Sequence, residues 1–112
     1  MNLMFIETET NKNHLIVRVS GRIGGESSLE FYRQTKEIVS ANPDANIILD
    51  FKNVDFIDSS GLGSLVAINS HLMKNKRSLT LSAVPDNLYG LLKITNLFAI
   101  LNIVEKTEDA VN

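Results

Sequence analysis

The amino-acid sequence predicts an α/β domain in which helices alternate with the strands of a mostly parallel sheet. Three observations lead there. Ile47 to Phe51 is an apolar run rich in branched residues and broken only by Asp50, a pattern suited to a strand covered on both faces. From Leu62 the period changes, and Leu62, Leu65, Val66, Asn69, Leu72 and Met73 fall on one helix face with Asn69 its polar member. Strand-like and helix-like segments then alternate in the order β-β-α-β-α-β-α-β. That order implies parallel pairing through right-handed crossovers and allows an antiparallel first strand at the edge.

Taken in order, Leu3 to Thr8 and His14 to Ser20 read as two strands joined by Asn11-Lys12-Asn13, a turn composition. In the second, Leu15, Val17 and Val19 alternate with Ile16, Arg18 and Ser20 before Gly21, Gly24 and Gly25 break the pattern. Glu26-Ser27-Ser28 offers caps for a helix to about Ala41, with Leu29, Tyr32 and Val39 as its inner face and Phe31 and Ile38 on the flank. Pro43-Asp44 closes it. The central strand follows, then a helix from Ser59 or Ser60 to Lys74 that stops at Asn75. Ser78 to Val84 is the next strand, and Pro85-Asp86-Asn87 opens a helix carrying Leu88, Leu91 and Leu92. A last strand covers about Leu101 to Val104, and Thr107-Glu108-Asp109 can start a short final helix.

The turn Asp58-Ser59-Ser60-Gly61-Leu62-Gly63 is where function is expected. Asp58 and Ser59 are both able to accept from free N–H groups of a first helical turn. The glycines fit less easily, because each costs roughly 1 kcal/mol against alanine inside a helix. A bare backbone here suits close approach by another chain or another segment. The plainer alternative is a strand-to-helix turn with redundant caps and two tolerated glycines.

Composition narrows the rest. A chain of 112 residues is one domain with a modest core, and 44% apolar with 21% charged residues is a globular composition. A formal charge of −2 gives no reason to expect direct nucleic-acid binding, and Lys74, Lys76 and Arg77 read as a solvated cap at a helix C-terminus. Without cysteine there is no disulfide framework and no thiolate chemistry, which fits a reducing compartment. No signal peptide is expected, and no apolar run reaches the roughly 20 residues of a membrane span. The expected location is the cytoplasm, with no membrane insertion.

Catalytic patterns are missing. His14 and His71 are far apart in sequence, with no thiol or paired carboxylate beside them, and read as surface residues. Gly61 and Gly63 begin a dinucleotide fingerprint whose third glycine is replaced by Val66. Asp50, Asp55 and Asp58 lie near the end of a parallel strand, where α/β sheets place sites. A phospho-accepting Asp needs an acidic pair after the first parallel strand to hold magnesium, and Ser20-Gly21-Arg22-Ile23-Gly24 supplies none. No catalytic residue, metal ligand or cofactor is therefore expected.

At Val54-Asp55-Phe56-Ile57-Asp58-Ser59-Ser60-Gly61-Leu62-Gly63 the sequence resembles the anti-sigma factor antagonists, the bacterial single-domain members of the STAS group. The strand ending in Ser20-Gly21, the Leu79-to-Val84 strand with its following helix, and the leucine-rich Leu88 to Leu97 region extend the resemblance along nearly the whole chain. It implies one STAS domain over residues 1–112, an α/β fold with a four- or five-stranded mixed sheet and helices packed mainly on one face. It also implies a switch and not an enzyme. Ser59, the first serine after the Asp, is then phosphorylated by a partner serine kinase that doubles as an anti-sigma factor, and a serine phosphatase of the metal-dependent class reverses the mark. The unmodified chain binds the kinase through Asp58, Ser60, Gly61, Leu62 and Gly63, with Gly21, Gly24 and Gly25 alongside, and the phosphorylated chain does not. Many antagonists carry an Asp where this chain has Gly24-Gly25, a departure that bears on which kinase is recognised. The other class the resemblance admits is a constitutive accessory subunit of a transporter, such as a lipid-transport ATPase complex.

Overall fold

The computed structural model describes residues 4–111, and Leu3, the expected start of the first strand, lies outside them. Strands β1 (Met4–Asn11), β2 (His14–Ile23), β3 (Asn46–Ile57), β4 (Leu79–Ser82) and β5 (Asn102–Val104) form one sheet in sequence order. β1 is antiparallel to β2, and the remaining pairs are parallel. Helices α1 (Glu26–Ala41), α2 (Ser59–Lys74), α3 (Asp86–Ile94) and α4 (Thr107–Val111) alternate with the strands, and a short 3₁₀ turn at Leu97–Ala99 precedes β5. The expected order and the antiparallel edge strand are both present.

Strand period two sorts the sheet into two faces. Leu15, Val17 and Val19 of β2 join Ile47, Leu49 and Phe51 of β3 in one core with Phe31 of α1 and Leu62, Leu65, Ile68 and Leu72 of α2. Phe31 meets Phe51 edge to face, with ring centroids 6.2 Å apart. The opposite face buries Ile16, Ile48, Asp50 and Ser82, and α4 lies against β3, β4 and β5 there. β3 is therefore covered on both faces, as its nearly unbroken apolar run requires. Asp50 is tolerated because its carboxylate accepts from Lys52 N–H at 2.9 Å and from the Thr107 hydroxyl at 2.9 Å.

Four expectations need correcting. The inner face of α1 is Ser28, Phe31, Thr35 and Val39, while Leu29 is 71% exposed and Tyr32 only half-buried. Counting apolar residues rotates the face, because two inward positions carry small hydroxyl side chains. On α2, Ile68 is buried and Met73 exposed, although Leu62, Leu65, Asn69 and Leu72 lie inside as expected. β2 does not end at Gly21: with φ 94° that glycine marks a shift in register, and pairing with β3 resumes through Arg22 and Ile23. Arg77 does not cap its own helix. Its Nη1 donates to Val39 O at 3.0 Å, and Nη2 donates to Asn42 O at 2.6 Å and Ala45 O at 2.9 Å, so the guanidinium closes the C-terminus of α1. A planar fork of donors meets carbonyls at the negative end of a helix dipole, two of which, Val39 O and Asn42 O, also accept a backbone N–H.

Arg77→Ala is expected to cost roughly 2–3 kcal/mol in urea unfolding, since it removes a charged donor from three carbonyls. Arg77→Lys should recover only part of that, because an ammonium cannot reproduce the fork.

Candidate functional site

The site forms where β2 and β3 leave the sheet together. Ile23 pairs with Ile57, and the next N–H, of Asp58, donates to Ile23 O at 3.2 Å. Asp58 then turns the chain into α2 as its N-cap, with φ −109° and ψ −174°. Its Oδ1 accepts from Ser60 Oγ at 2.6 Å and Gly61 N–H at 3.0 Å, while Oδ2 accepts from Gly25 N–H at 3.1 Å. One carboxylate thus ties the start of α2 to the loop before α1. The Ser60 hydroxyl first, and then the Gly61 N–H, hold the Asp58 carboxyl below the usual carboxylate range, with Gly25 and Ser60 N–H adding to the effect and burial opposing it.

The expected site residues divide into two sets. Gly61 is buried, and a Cβ there would stand 2.4 Å from Ile23 O and 2.6 Å from Ile57 Cγ1. The bare backbone at this position is demanded from within, by the end of β2. Leu62 is buried in the core, at 6% exposure. Gly63 is exposed, and a Cβ there would meet nothing within 4 Å. At Gly24 a Cβ would lie 2.7 Å from the Phe56 ring and 2.8 Å from Asp58 Oδ2, so a side chain there would displace both. Gly25, not the Glu26-Ser27-Ser28 stretch, is the N-cap of α1, and its φ of 55° is the left-handed conformation that glycine adopts freely. Gly21 stands apart, paired inside β2 with Met4 on one side and Val54 on the other. The structure therefore brings Gly24 and Gly25 to Asp58, Ser59 and Ser60, and leaves Gly21 in the sheet.

The two serines differ. Ser60 is exposed, but its hydroxyl is bound to Asp58. Ser59 is the first residue of α2, also exposed, and its hydroxyl makes no hydrogen bond among the described residues. The neighbouring carboxylate accepts from Ser60 Oγ, Gly61 N–H and Gly25 N–H, and among the described residues it makes no hydrogen bond with the Ser59 hydroxyl. His14 opens β2 at the far end of the sheet, and His71 lies in the last turn of α2. Among the described residues no group of three or more His, Cys, Asp or Glu side chains is placed to hold a metal ion.

Three residues escaped the sequence reading. Ser64 Oγ lies 3.2 Å from Ser28 O and joins α2 to α1. The Arg22 guanidinium carbon lies 4.0 Å from the centroid of the Phe56 ring, directly across the β2–β3 pair. That pairing follows two register shifts, which no local pattern announces.

The family described as STAS domain matches residues 5–110. The chain is 31% identical over 110 residues to the anti-sigma F factor antagonist of Paenibacillus polymyxa, covering 98% of this chain and 93% of that one. It is also 31% identical to an anti-sigma-B factor antagonist of Staphylococcus aureus, over 96% of this chain and 98% of its relative. The fold resembles the crystal structure of an anti-sigma factor antagonist from Mycobacterium paratuberculosis, with TM-score 0.85 at 21% identity over 96% and 91% of the two chains. It also resembles the Bacillus cell fate determinant SpoIIAA in the phosphorylated form, with TM-score 0.70 at 16% identity over 96% of each chain.

The two glycines of the turn should respond oppositely to alanine. Gly61→Ala is expected to cost about 1–3 kcal/mol through overpacking against backbone, and Gly63→Ala to gain up to about 1 kcal/mol of helix propensity, both read by urea midpoint. Asp58→Ala should cost about 1–2 kcal/mol near neutral pH as a lost cap. The folded pKa of Asp58 lies below its unfolded value, so its contribution is full above the unfolded pKa and is lost as pH falls through the folded one. The stability gap between wild type and Asp58→Ala should be constant from about pH 7 to 5 and close below about pH 4. A gap unchanged at acid pH would contradict this assignment.

Proposed function

This chain belongs to the STAS domain family, among its anti-sigma factor antagonists, and on that premise we propose that it is a phosphorylation-controlled partner switch acting through Ser59. Antagonists of this family are regulators rather than enzymes, and an anti-sigma factor is the kind of partner such a chain has. The observation that carries the finer reading is the unequal state of adjacent serines: Ser59 offers a free, exposed hydroxyl, whereas Ser60 is committed to Asp58. A kinase approaching this edge finds one hydroxyl available. A fold neighbour, SpoIIAA, has been solved phosphorylated, which shows that the architecture of that protein accommodates the modification.

On this reading a serine-kinase anti-sigma factor binds the unmodified chain across Ser59, Ser60, Gly63 and the Gly24-Gly25 loop, while buried Gly61 and Leu62 fix the backbone beneath. Phosphorylation adds about −1.5 to −2 charges at pH 7. The N-terminus of α2 tolerates an anion, because its dipole and free N–H groups favour one, so the fold persists. The complex does not, because a dianion would be desolvated against a surface fitted to a neutral hydroxyl. A serine phosphatase of the metal-dependent class restores binding. Among the described residues no helix is long and apolar enough to cross a membrane, and we place this exchange in the cytoplasm, where ATP is available.

Incubation with ATP and each candidate serine kinase from the same genome should add one phosphate by intact-mass spectrometry, absent in Ser59→Ala. Ser59→Asp should bind that kinase at least about tenfold more weakly than Ser59→Ala. Equal binding by the two variants removes the charge mechanism. Stable capture of a transporter ATPase, indifferent to Ser59, would assign the chain instead to a constitutive accessory subunit.

A further inference from the structure

The chain has four arginines, Arg18, Arg22, Arg33 and Arg77, and three of them use their donors inside the fold. Arg18 pairs with Glu9, Arg33 with Glu30 and Glu37, and Arg77 with the carbonyls that end α1. Arg22 is different. It is exposed, it enters no ion pair among the described residues, and its guanidinium is laid on the Phe56 ring. Its backbone is fixed as well, since the Arg22 carbonyl accepts from Ser27 Oγ at 2.7 Å. A guanidinium held over a ring loses much of the mobility that weakens surface ion pairs and keeps its N–H donors for an outside acceptor. This is a pre-positioned cation without an internal partner.

Its place in the fold ties it to the switch. Phe56 lies three residues before Ser59, a span of about 10 Å at most even when fully extended, and Gly24 packs against the same ring. Arg22 and Ser59 therefore fall within one interface of ordinary size, about 800 Å² a side. Three of the about four acceptor positions of the Asp58 carboxylate are taken by Ser60, Gly61 and Gly25, and among the described residues it forms no ion pair with Arg22. The exposed carboxylates bordering the edge in sequence are Glu26, the first residue of α1, and Asp55 beside Phe56.

We propose that the partner presents an acidic rim to this edge and that Arg22, held on Phe56, is the residue that reads it. The inference rests on the switch reading above and gives it a sign. An acidic surface drawn to Arg22 is the surface that a phosphoryl dianion on Ser59 repels, so attraction and release act on one set of partner charges. Arg22 is a specificity residue in this scheme and takes no part in phosphoryl transfer.

The probe is the purified serine-kinase anti-sigma factor domain, among those of the same genome, that binds the unmodified chain. Its affinity is measured against salt for wild type, Arg22→Glu, Glu26→Lys, Ser59→Asp and, at the far end of the sheet, Lys12→Glu. Arg22→Glu should weaken binding about tenfold at low salt and flatten the salt dependence; Glu26→Lys should tighten it severalfold; Lys12→Glu should do neither. Because two exposed charge changes act in opposite directions, a general loss of structure does not reproduce the pattern, and circular dichroism checks that each variant folds. Loss of binding in Ser59→Asp together with wild-type binding in Arg22→Glu overturns this inference and leaves the switch standing. Tighter binding by Arg22→Glu overturns it in favour of a basic partner. Equal binding by wild type and Ser59→Asp, or no binding by any of these domains, overturns the switch reading and this inference with it.

Discussion

One carboxylate holds the candidate site in place. Asp58 accepts from Gly25 at the head of α1 and from Ser60 and Gly61 at the head of α2, so two elements far apart in sequence share a single anchor. An ionised acceptor at a helix N-terminus is favoured by both the free N–H groups and the dipole. The anchor works only because the backbone around it is bare. Gly61 lies under the Ile23 carbonyl at a separation no side chain survives, and Gly24 occupies a gap between the Phe56 and Asp58 side chains, which would have to shift to admit a Cβ. Carboxylate and glycines together fix how α2 begins, and that fixes what Ser59 exposes.

The sheet beneath is a platform with two unlike faces. Toward α1 and α2 it presents a continuous aliphatic and aromatic core, closed at one end by Arg77 on carbonyls at and just beyond the end of α1. On the other face β3 buries Asp50, whose Oδ2 accepts from Thr107, and the Thr107 hydroxyl lies 2.7 Å from that of Ser82. Those bonds fasten the short α4, which buries no residue fully, against β3 and β4. Hydrophobic burial drives one side, and satisfied polar groups make the other tolerable.

A switch built on this edge needs no large motion. In the proposed scheme the modified hydroxyl, the stacked Arg22 and the Gly24-Gly25 loop are held in place before any partner arrives. The change is then one of charge on a fixed surface. Rigidity lowers the entropic cost of association, and fixed charges set which partner fits.

Much of this was legible in the chain. The apolar run at Ile47 to Phe51, the change of period from Leu62 and the alternation of strands with helices determined the element order. They did so because burial on two faces, helical spacing and crossover handedness are properties of local pattern. The Asp-Ser-Ser-Gly turn announced itself as a helix start for the same reason, since capping is local. Contacts between distant segments were decided only by the tertiary structure. The hydroxyl-bearing inner face of α1, the reach of Arg77 to the end of another helix, the stack of Arg22 on Phe56 and the internal cause of Gly61 all depend on which backbones meet. A glycine reads alike in sequence whether a partner or its own sheet forbids the Cβ. Only the position of the Ile23 carbonyl distinguishes Gly61, closed from inside, from Gly63, open to solvent.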